Sequence, residues 1–315
     1  MTYAFLFPGQ GSQAVGMGQD LYRHVPEARR IFDEVDDALG EPFSALVFEG
    51  PEERLRLTEN AQPALMATSL AVLRALEART GATVEQLCGY VAGHSLGEYS
   101  ALAAAGALDV GTAARLLRLR GQAMQAAVPV GEGAMAAIIG LGLGDVDEIA
   151  REASADGVCD VANDNAPNQI VISGTAAAVA AALELARARG ARRSMALAVS
   201  APFHCRLMAP AAEAVAAALD EIELRQPCVP VVTNVRAAPE VNPGALKAGL
   251  VEQVTARVRW RESVTAMAAL GVDRFTEIGS GKVLSGLVKR IVGSAGVAAL
   301  GTIDDIEGHV GQLAA

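Results

Sequence analysis

Five residues, Gly93-His94-Ser95-Leu96-Gly97, stand between an apolar run and an alanine-rich stretch. A serine in a Gly-x-Ser-x-Gly turn is the usual arrangement for an acyl-accepting nucleophile. The small flanking residues let a strand and a helix meet at a sharp corner with the hydroxyl on top. A helix N-terminus at that corner favours negative charge at the serine oxygen. Serine needs a base, and the chain holds only four histidines: His24, His94, His204 and His309. His24 and His309 lie in polar, helix-like surroundings and are expected in solvent. His94 adjoins Ser95, and its side chain should diverge from the serine in extended backbone, so a structural or substrate-contacting role suits it. His204, in the loop Ser200-Ala-Pro-Phe-His204, is the candidate general base. Cys205 follows it, but free cysteines are more often small core residues than nucleophiles. The four cysteines are scattered, which indicates neither a disulfide framework nor a zinc site. Gly279-Ser-Gly-Lys282 lacks the earlier glycine and the following hydroxyl residue of a phosphate loop.

These groups need a scaffold, and the hydrophobic pattern supplies one. Tyr3–Phe7 reads as a buried strand, Pro63–Arg79 as a helix closed by Gly81, Leu87–Ala92 as a strand and Leu96–Ala107 as a helix. A helix over Val110–Ala127 follows. Later come a helix over Pro210–Asp220, a strand over Val229–Val235, a helix over Gly244–Arg257, a strand over Arg274–Ile278 and a helix over Lys282–Ile291. Such alternation predicts an α/β fold with a mostly parallel sheet. Between them the order changes. Strands are expected at Ala134–Leu141, Asp160–Asn163, Gln169–Ser173 and Arg193–Ala198, with helices at Val146–Ala153 and Ala176–Arg189. The polar turn Asp164–Asn168 separates the middle strands. This βαββαβ order is ferredoxin-like. It divides the chain into a core, 1–130 with 200–315, and a subdomain, 131–199.

The 315 residues carry a net charge of −10, which disfavours a nucleic-acid partner. No apolar run reaches membrane-spanning length, and the N-terminus lacks the basic start of a secretory signal. A cytoplasmic protein is the expectation. On spacing alone, Arg115, Arg118 and Arg120 read as a solvated helix face.

Six stretches, in order, carry a resemblance. They are Phe7-Pro-Gly-Gln-Gly-Ser-Gln13, Gly93-His-Ser-Leu-Gly-Glu-Tyr99, Arg120-Gly-Gln-Ala-Met-Gln125, Asn163-Asp-Asn-Ala-Pro-Asn-Gln169, Pro202-Phe-His204 and Glu277-Ile-Gly-Ser-Gly281. Together they resemble the malonyl-CoA:acyl-carrier-protein transacylases, the acyltransferases of fatty-acid synthesis. The resemblance implies an α/β-hydrolase-like core with a ferredoxin-like insertion and an active site between them. It implies that Ser95 takes a malonyl group from coenzyme A in a ping-pong reaction and that His204 shuttles the proton. It assigns the oxyanion hole to the N–H groups of Gln10 and Leu96, the malonyl carboxylate to Arg120, and orientation of the base to the carbonyl of Gln253. Met124, Phe203 and His94 would line the acyl pocket, with Asn163 and Asn165 as substrate contacts. Phe203 would crowd a branched acyl group. No metal or bound cofactor is expected, and the malonyl-CoA is a substrate. The partner implied is an acidic, phosphopantetheinylated acyl carrier protein, met by a monomer. Candidate basic contacts are Arg187, Arg189, Arg192, Arg193, Lys289 and Arg290. Serine hydrolase activity on acyl thioesters, a component of a polyketide synthase or malonate decarboxylase, and a non-enzymatic carrier-protein scaffold are the alternatives.

Overall fold

The computed structural model describes residues 2–313. Its first sheet has six strands: β1 (Tyr3–Phe7), β2 (Tyr90–Gly93), β7 (Val231–Val232), β8 (Pro239–Glu240), β9 (Arg274–Ile278) and β10 (Gly296–Leu300), in the order β10-β9-β1-β2-β7-β8. All neighbours are parallel except β7 and β8. The alternation of a strand explains why β1 is apolar throughout. Phe5 and Phe7 face one hydrophobic cluster, while Ala4 and Leu6 face another. The first cluster is closed by helices Pro26–Leu39, Thr58–Thr80, Gly97–Ala104, Val110–Ala126 and Ala209–Asp220. The second is closed by Trp260–Ala269 and Val283–Ile291. The sheet is thus covered on both faces.

The other sheet contains β3 (Gly133–Ile139), β4 (Cys159–Ala166), β5 (Gln169–Thr175) and β6 (Arg193–Ala196), in the order β4-β5-β3-β6, antiparallel throughout. Helices Leu143–Ala153 and Ala176–Ala188 cover one face over a separate apolar cluster that includes Ile138, Val146, Ile149, Ile170 and Ile172. The element order is the expected βαββαβ.

Several boundaries differ from the sequence pattern, each for a local reason. The strand expected over Leu87–Ala92 starts at Tyr90, because Thr83 and Gln86 close a capping box on a short helix, Val84–Leu87. The strand expected over Val229–Val235 keeps only two residues. Thr233–Ala237 instead closes a turn, with Ala237 in the left-handed region at φ 52°. The helix expected to open at Pro63 opens at Thr58, so Pro63 lies inside it. The turn expected over Asp164–Asn168 is shorter, because Asp164, Asn165 and Ala166 continue β4 through two register shifts. β8, β10 and the helices before Thr58 have no counterpart in the pattern read above.

Candidate active site

The Gly93–Gly97 corner follows directly from covalent size. β2 ends at Gly93 and the helix begins at Gly97. A Cβ on Gly93 would lie 1.9 Å from the carbonyl carbon of Gly97, and one on Gly97 would lie 2.2 Å from the carbonyl oxygen of Phe7. Only glycine permits either approach. Ser95 is held at the apex with φ 54°, in the left-handed region that costs a non-glycine residue about 1–3 kcal/mol. Its N–H donates to Asn234 Oδ1 at 2.7 Å, which fixes the strained turn.

His204 reaches the same point from the loop after β6. Its Nε2 lies 2.7 Å from Ser95 Oγ, and its Nδ1 lies 2.8 Å from the carbonyl oxygen of Gln253 in the helix Pro243–Thr255. A carbonyl can only accept, so Nδ1 carries the proton and Nε2 is the free base facing the hydroxyl. Burial, reinforced by the nearby Arg120 charge, pushes the His204 pKa down to about 3. The imidazole is neutral at physiological pH. His204 is also in the left-handed region, at φ 57°.

Arg120 comes from the helix Val110–Ala126 and is 2% exposed, so the solvated-face expectation from spacing does not hold for it. Leu116, Leu117 and Gly121 turn that part of the helix inward, and a Cβ on Gly121 would lie 2.5 Å from Glu59 Cα. Arg118 keeps partial exposure and pairs with Glu41 at 2.6 Å. Arg120 Nη1 donates to Gln62 Oε1 at 2.7 Å, and Nη2 donates to Gln253 Oε1 at 3.0 Å and Ser95 Oγ at 3.2 Å. Its Nε has no partner, and no carboxylate among the described residues bonds to it. Burial lowers its pKa from the ordinary arginine value. This is a buried cation surrounded by neutral acceptors.

The loop after β1 forms the opposite wall. Ser280 Oγ donates to the carbonyl of Ser12 at 2.6 Å, and Thr58 Oγ1 donates to Gln10 Oε1 at 2.9 Å. Gly9 must be glycine, since a Cβ there would sit 2.7 Å from the His94 carbonyl oxygen. Among the described residues, neither Gln10 N–H nor Leu96 N–H donates a hydrogen bond.

A cavity of about 820 Å³ joins these parts. It is lined by Gln10, His94, Ser95, Leu96, Arg120, Met124, Asn163, Asn165, Phe203 and His204, so ten of the eleven expected site residues border it. Gln253 does not, and acts from behind. His94 turns from Ser95 as expected. Its Nε2 donates to Asn165 Oδ1 at 2.8 Å, and its ring packs on Trp260 with centroids 5.5 Å apart. The register shift after Val161 lets β4 point Val161 into the small sheet's own core and Asn163 and Asn165 into the cavity. His24 is exposed and His309 is half-buried, contrary to the solvent expected for the latter; neither borders the cavity. Cys205 is buried with its thiol on the Pro202 carbonyl at 3.1 Å.

Three residues of the site carried no role in the sequence reading. Gln62 holds Arg120 and donates to Thr58 Oγ1 at 2.9 Å. Asn234 holds Ser95. Glu98, fully buried, accepts from Asn234 N–H at 2.9 Å and Gln253 Nε2 at 2.8 Å. Burial pushes the Glu98 carboxyl up to about 7, against those hydrogen bonds and the Arg120 charge, which lower it. A polar residue inside an apolar helix pattern is the signal that could have found Glu98. Asn234 offered no such signal, since it lies in an irregular turn.

The candidate basic contacts are not equivalent. Arg187 pairs with Glu184, and Arg189 with Glu148 and Glu152. Arg192, Arg193 and Lys289 are exposed, with no ion pair among the described residues, and Arg290 donates to Gln169 at the cavity edge. No cluster of three or more described His, Cys, Asp or Glu residues is placed to hold a metal ion, and no described helix is long and apolar enough to cross a membrane.

Comparison with known proteins shows the family to which the chain belongs. The family described as "Acyl transferase domain" matches residues 4–309. A "Malonyl CoA-acyl carrier protein transacylase" from Bacillus subtilis (strain 168) is 50% identical over 289 residues, covering 91% of this chain and 90% of that one. The crystal structure of an acyl-carrier-protein-S-malonyltransferase from Bartonella henselae superposes with a TM-score of 0.97 at 52% identity, over 100% of both chains. A malonyl-transacylase solved in complex with a type II PKS acyl-carrier protein has a TM-score of 0.95 and 43% identity, covering 99% of this chain and 100% of that one.

Proposed function

We infer that this chain, which belongs to the family of malonyl-CoA:acyl-carrier-protein transacylases, is an acyltransferase that moves a malonyl group from coenzyme A to the phosphopantetheine thiol of an acyl carrier protein. The observation that carries the acyl specificity is Arg120. A buried guanidinium with a free Nε and only neutral hydrogen-bond acceptors has no directly bonded anion among the described residues, and a carboxylate on the acyl group supplies one bidentately. A neutral acyl ester would supply none, which disfavours a general serine hydrolase.

The chemistry follows from the distances. Ser95 Oγ gives its proton to His204 Nε2 and attacks the thioester carbonyl. The oxyanion meets the unengaged N–H groups of Gln10 and Leu96, each donor being worth about 3–4 kcal/mol. The C–S bond breaks, and His204 protonates the departing thiolate. In the second half, the pantetheine thiol gives its proton to His204 and its sulfur attacks the malonyl ester. Ser95 Oγ leaves with that proton. The Gln253 carbonyl keeps the imidazole in the right tautomer throughout. Nothing in this sequence needs a metal or organic cofactor.

Within the same proposal, Met124, Phe203 and His94 bound the acyl group, and Asn163 and Asn165 contact the substrate from the small sheet. The two-part division at 131–199 is supported by that sheet's separate apolar cluster. Arg192, Arg193, Lys289 and Arg290 are the basic groups left to meet an acidic carrier. Arg187 and Arg189 are already paired. A monomeric, cytoplasmic enzyme completes the picture.

The test is an intact mass after incubation with malonyl-CoA, followed by addition of carrier protein. A malonyl adduct is expected on the chain, absent in Ser95→Ala, and it moves to the carrier. Release as free malonate with none on the carrier would show a hydrolase instead.

A further inference from the structure

Behind the elbow, on the side away from the cavity, Glu98 is fully buried and uses its carboxyl group lopsidedly. Among the described residues, Oε2 accepts both of its hydrogen bonds, from Asn234 N–H at 2.9 Å and from Gln253 Nε2 at 2.8 Å, while Oε1 has no partner. Each of those two partners holds other parts of the site. Asn234 accepts the Ser95 N–H at 2.7 Å and donates Nδ2 to the Gly93 carbonyl at 2.6 Å. Gln253 accepts from Arg120 at 3.0 Å, donates to the Ser95 carbonyl at 3.0 Å, and takes the His204 Nδ1 proton on its main-chain oxygen at 2.8 Å. Ser95, Arg120 and His204 each therefore stand one residue away from a single oxygen atom.

We propose that Glu98 is a positioning residue for the acyl transfer, holding Ser95 and Arg120 in one geometry through Asn234 and Gln253, and that it contributes the place of one acceptor oxygen rather than a negative charge. This deepens, and rests on, the transfer function inferred for the cavity. The geometry separates place from charge. Among the described residues no cation bonds to the carboxyl group directly; Arg120 reaches it across the neutral Gln253 amide. An unpaired buried carboxylate is costly, and a neutral carbonyl oxygen has the two lone pairs needed to accept both donors. Oε1 has no partner among the described residues, so only Oε2 fixes a neighbour.

Two conservative variants divide the possibilities in the full-length chain. Glu98→Gln keeps the length, puts its amide oxygen where Oε2 stands and removes the charge. Glu98→Asp keeps the charge and withdraws the oxygens by about 1.5 Å, one C–C bond. Single-turnover malonylation of Ser95 is measured by rapid quench against malonyl-CoA concentration, with thermal unfolding as the check on folding. For Glu98→Asp the saturating rate is expected to fall about 10²-fold, with half-saturation moving less than about threefold, as for a misplaced but intact site. Glu98→Gln is expected to stay within about fivefold of the parent rate, the oxygen being kept. The reverse order, Gln slow and Asp fast, overturns the proposal in favour of charge. Equal loss in both, or no loss in either, also overturns it. If Glu98→Asp does not fold, the rate of Glu98→Gln decides alone. If Glu98→Gln does not fold, charge is what the site requires, and the proposal fails. An unmodified chain that forms no malonyl adduct would remove the transfer function itself, an outcome separate from any difference between variants.

Discussion

Around the parallel sheet, buried polar side chains crowd behind one turn: Gln62, Glu98, Arg120, His204, Asn234 and Gln253 are all 4% exposed or less. In the antiparallel part, the buried polar side chains among the described residues are Asn163, Asp164 and Ser173, all on the two strands of the β4–β5 hairpin, while the space under the helices holds an apolar cluster. One region pays for burying polar groups and a strained serine by connecting them to each other. The other packs like an ordinary small domain and lends the cavity a wall. Its strands show the division residue by residue: Ile170 and Ile172 point to its own core, and Gln169 and Val171 to the cavity. Precision is thus concentrated where several elements converge, and the small sheet's wall is built from the alternation of β5 and the register shifts of β4.

That contrast predicts unequal responses to mutation. The largest is at Arg120. Arg120→Ala should lower malonyl transfer about 10²–10³-fold more than acetyl transfer, as expected when one member of a buried charge pair is removed. The measurement is the ratio of kcat/KM for the two thioesters, and equal losses would show that Arg120 does not read the carboxylate.

Next comes the acid limb of kcat/KM, which reports groups of the free enzyme. With the His204 pKa depressed from 6.5 to about 3, the base stays neutral through pH 6 and 5. Protonation of His204 therefore removes activity only at more acid pH, and a histidine limb centred near 6.5 would mean a solvated imidazole. The same depression has a stability sign. The unfolded chain binds the proton first, so this contribution is complete above pH 6.5 and is lost as pH falls toward 3.

Gly97→Ala tests the corner. Its Cβ would meet the Phe7 carbonyl oxygen at 2.2 Å, and a loss of about 1–3 kcal/mol in urea unfolding is expected, together with a lower acylation rate. The smallest effect belongs to the other sheet. Ile172→Val, fully buried under the helices, should cost about 0.5–1.5 kcal/mol and leave the acylation rate unchanged. A large rate loss there would show that the wall is mechanically part of the nucleophile's support.

The same contrast governs what could be read from the chain in advance. β9 occupies its expected residues, Arg274–Ile278, because Phe275, Thr276 and Ile278 favour a strand and Gly271 and Gly279 punctuate the segment on either side. The βαββαβ order was legible for the same reason. Ser95 and His204 stood out by residue type and local context. Arg120 did not, because its burial depends on helices distant in sequence; only the motif around it singled it out. Asn234 and Gln62 were invisible, since a side chain bonded across 139 or 58 residues leaves no local periodicity. Strand Val229–Val235 was overextended because Thr233 and Asn234 spend their backbone on a turn and on Glu98.

The partner of His204 has a further consequence for direction. A carbonyl dipole steadies an imidazolium less than a carboxylate does, so on the proposed mechanism the proton taken from Ser95 has no deep resting place on the ring. It must go promptly to whichever sulfur is present, and the two thiols offered, from coenzyme A and from the carrier, are chemically alike. On this mechanism the protein carries no thermodynamic preference of its own. It is a two-way valve, and net flow through it is set by what the neighbouring reactions supply and withdraw.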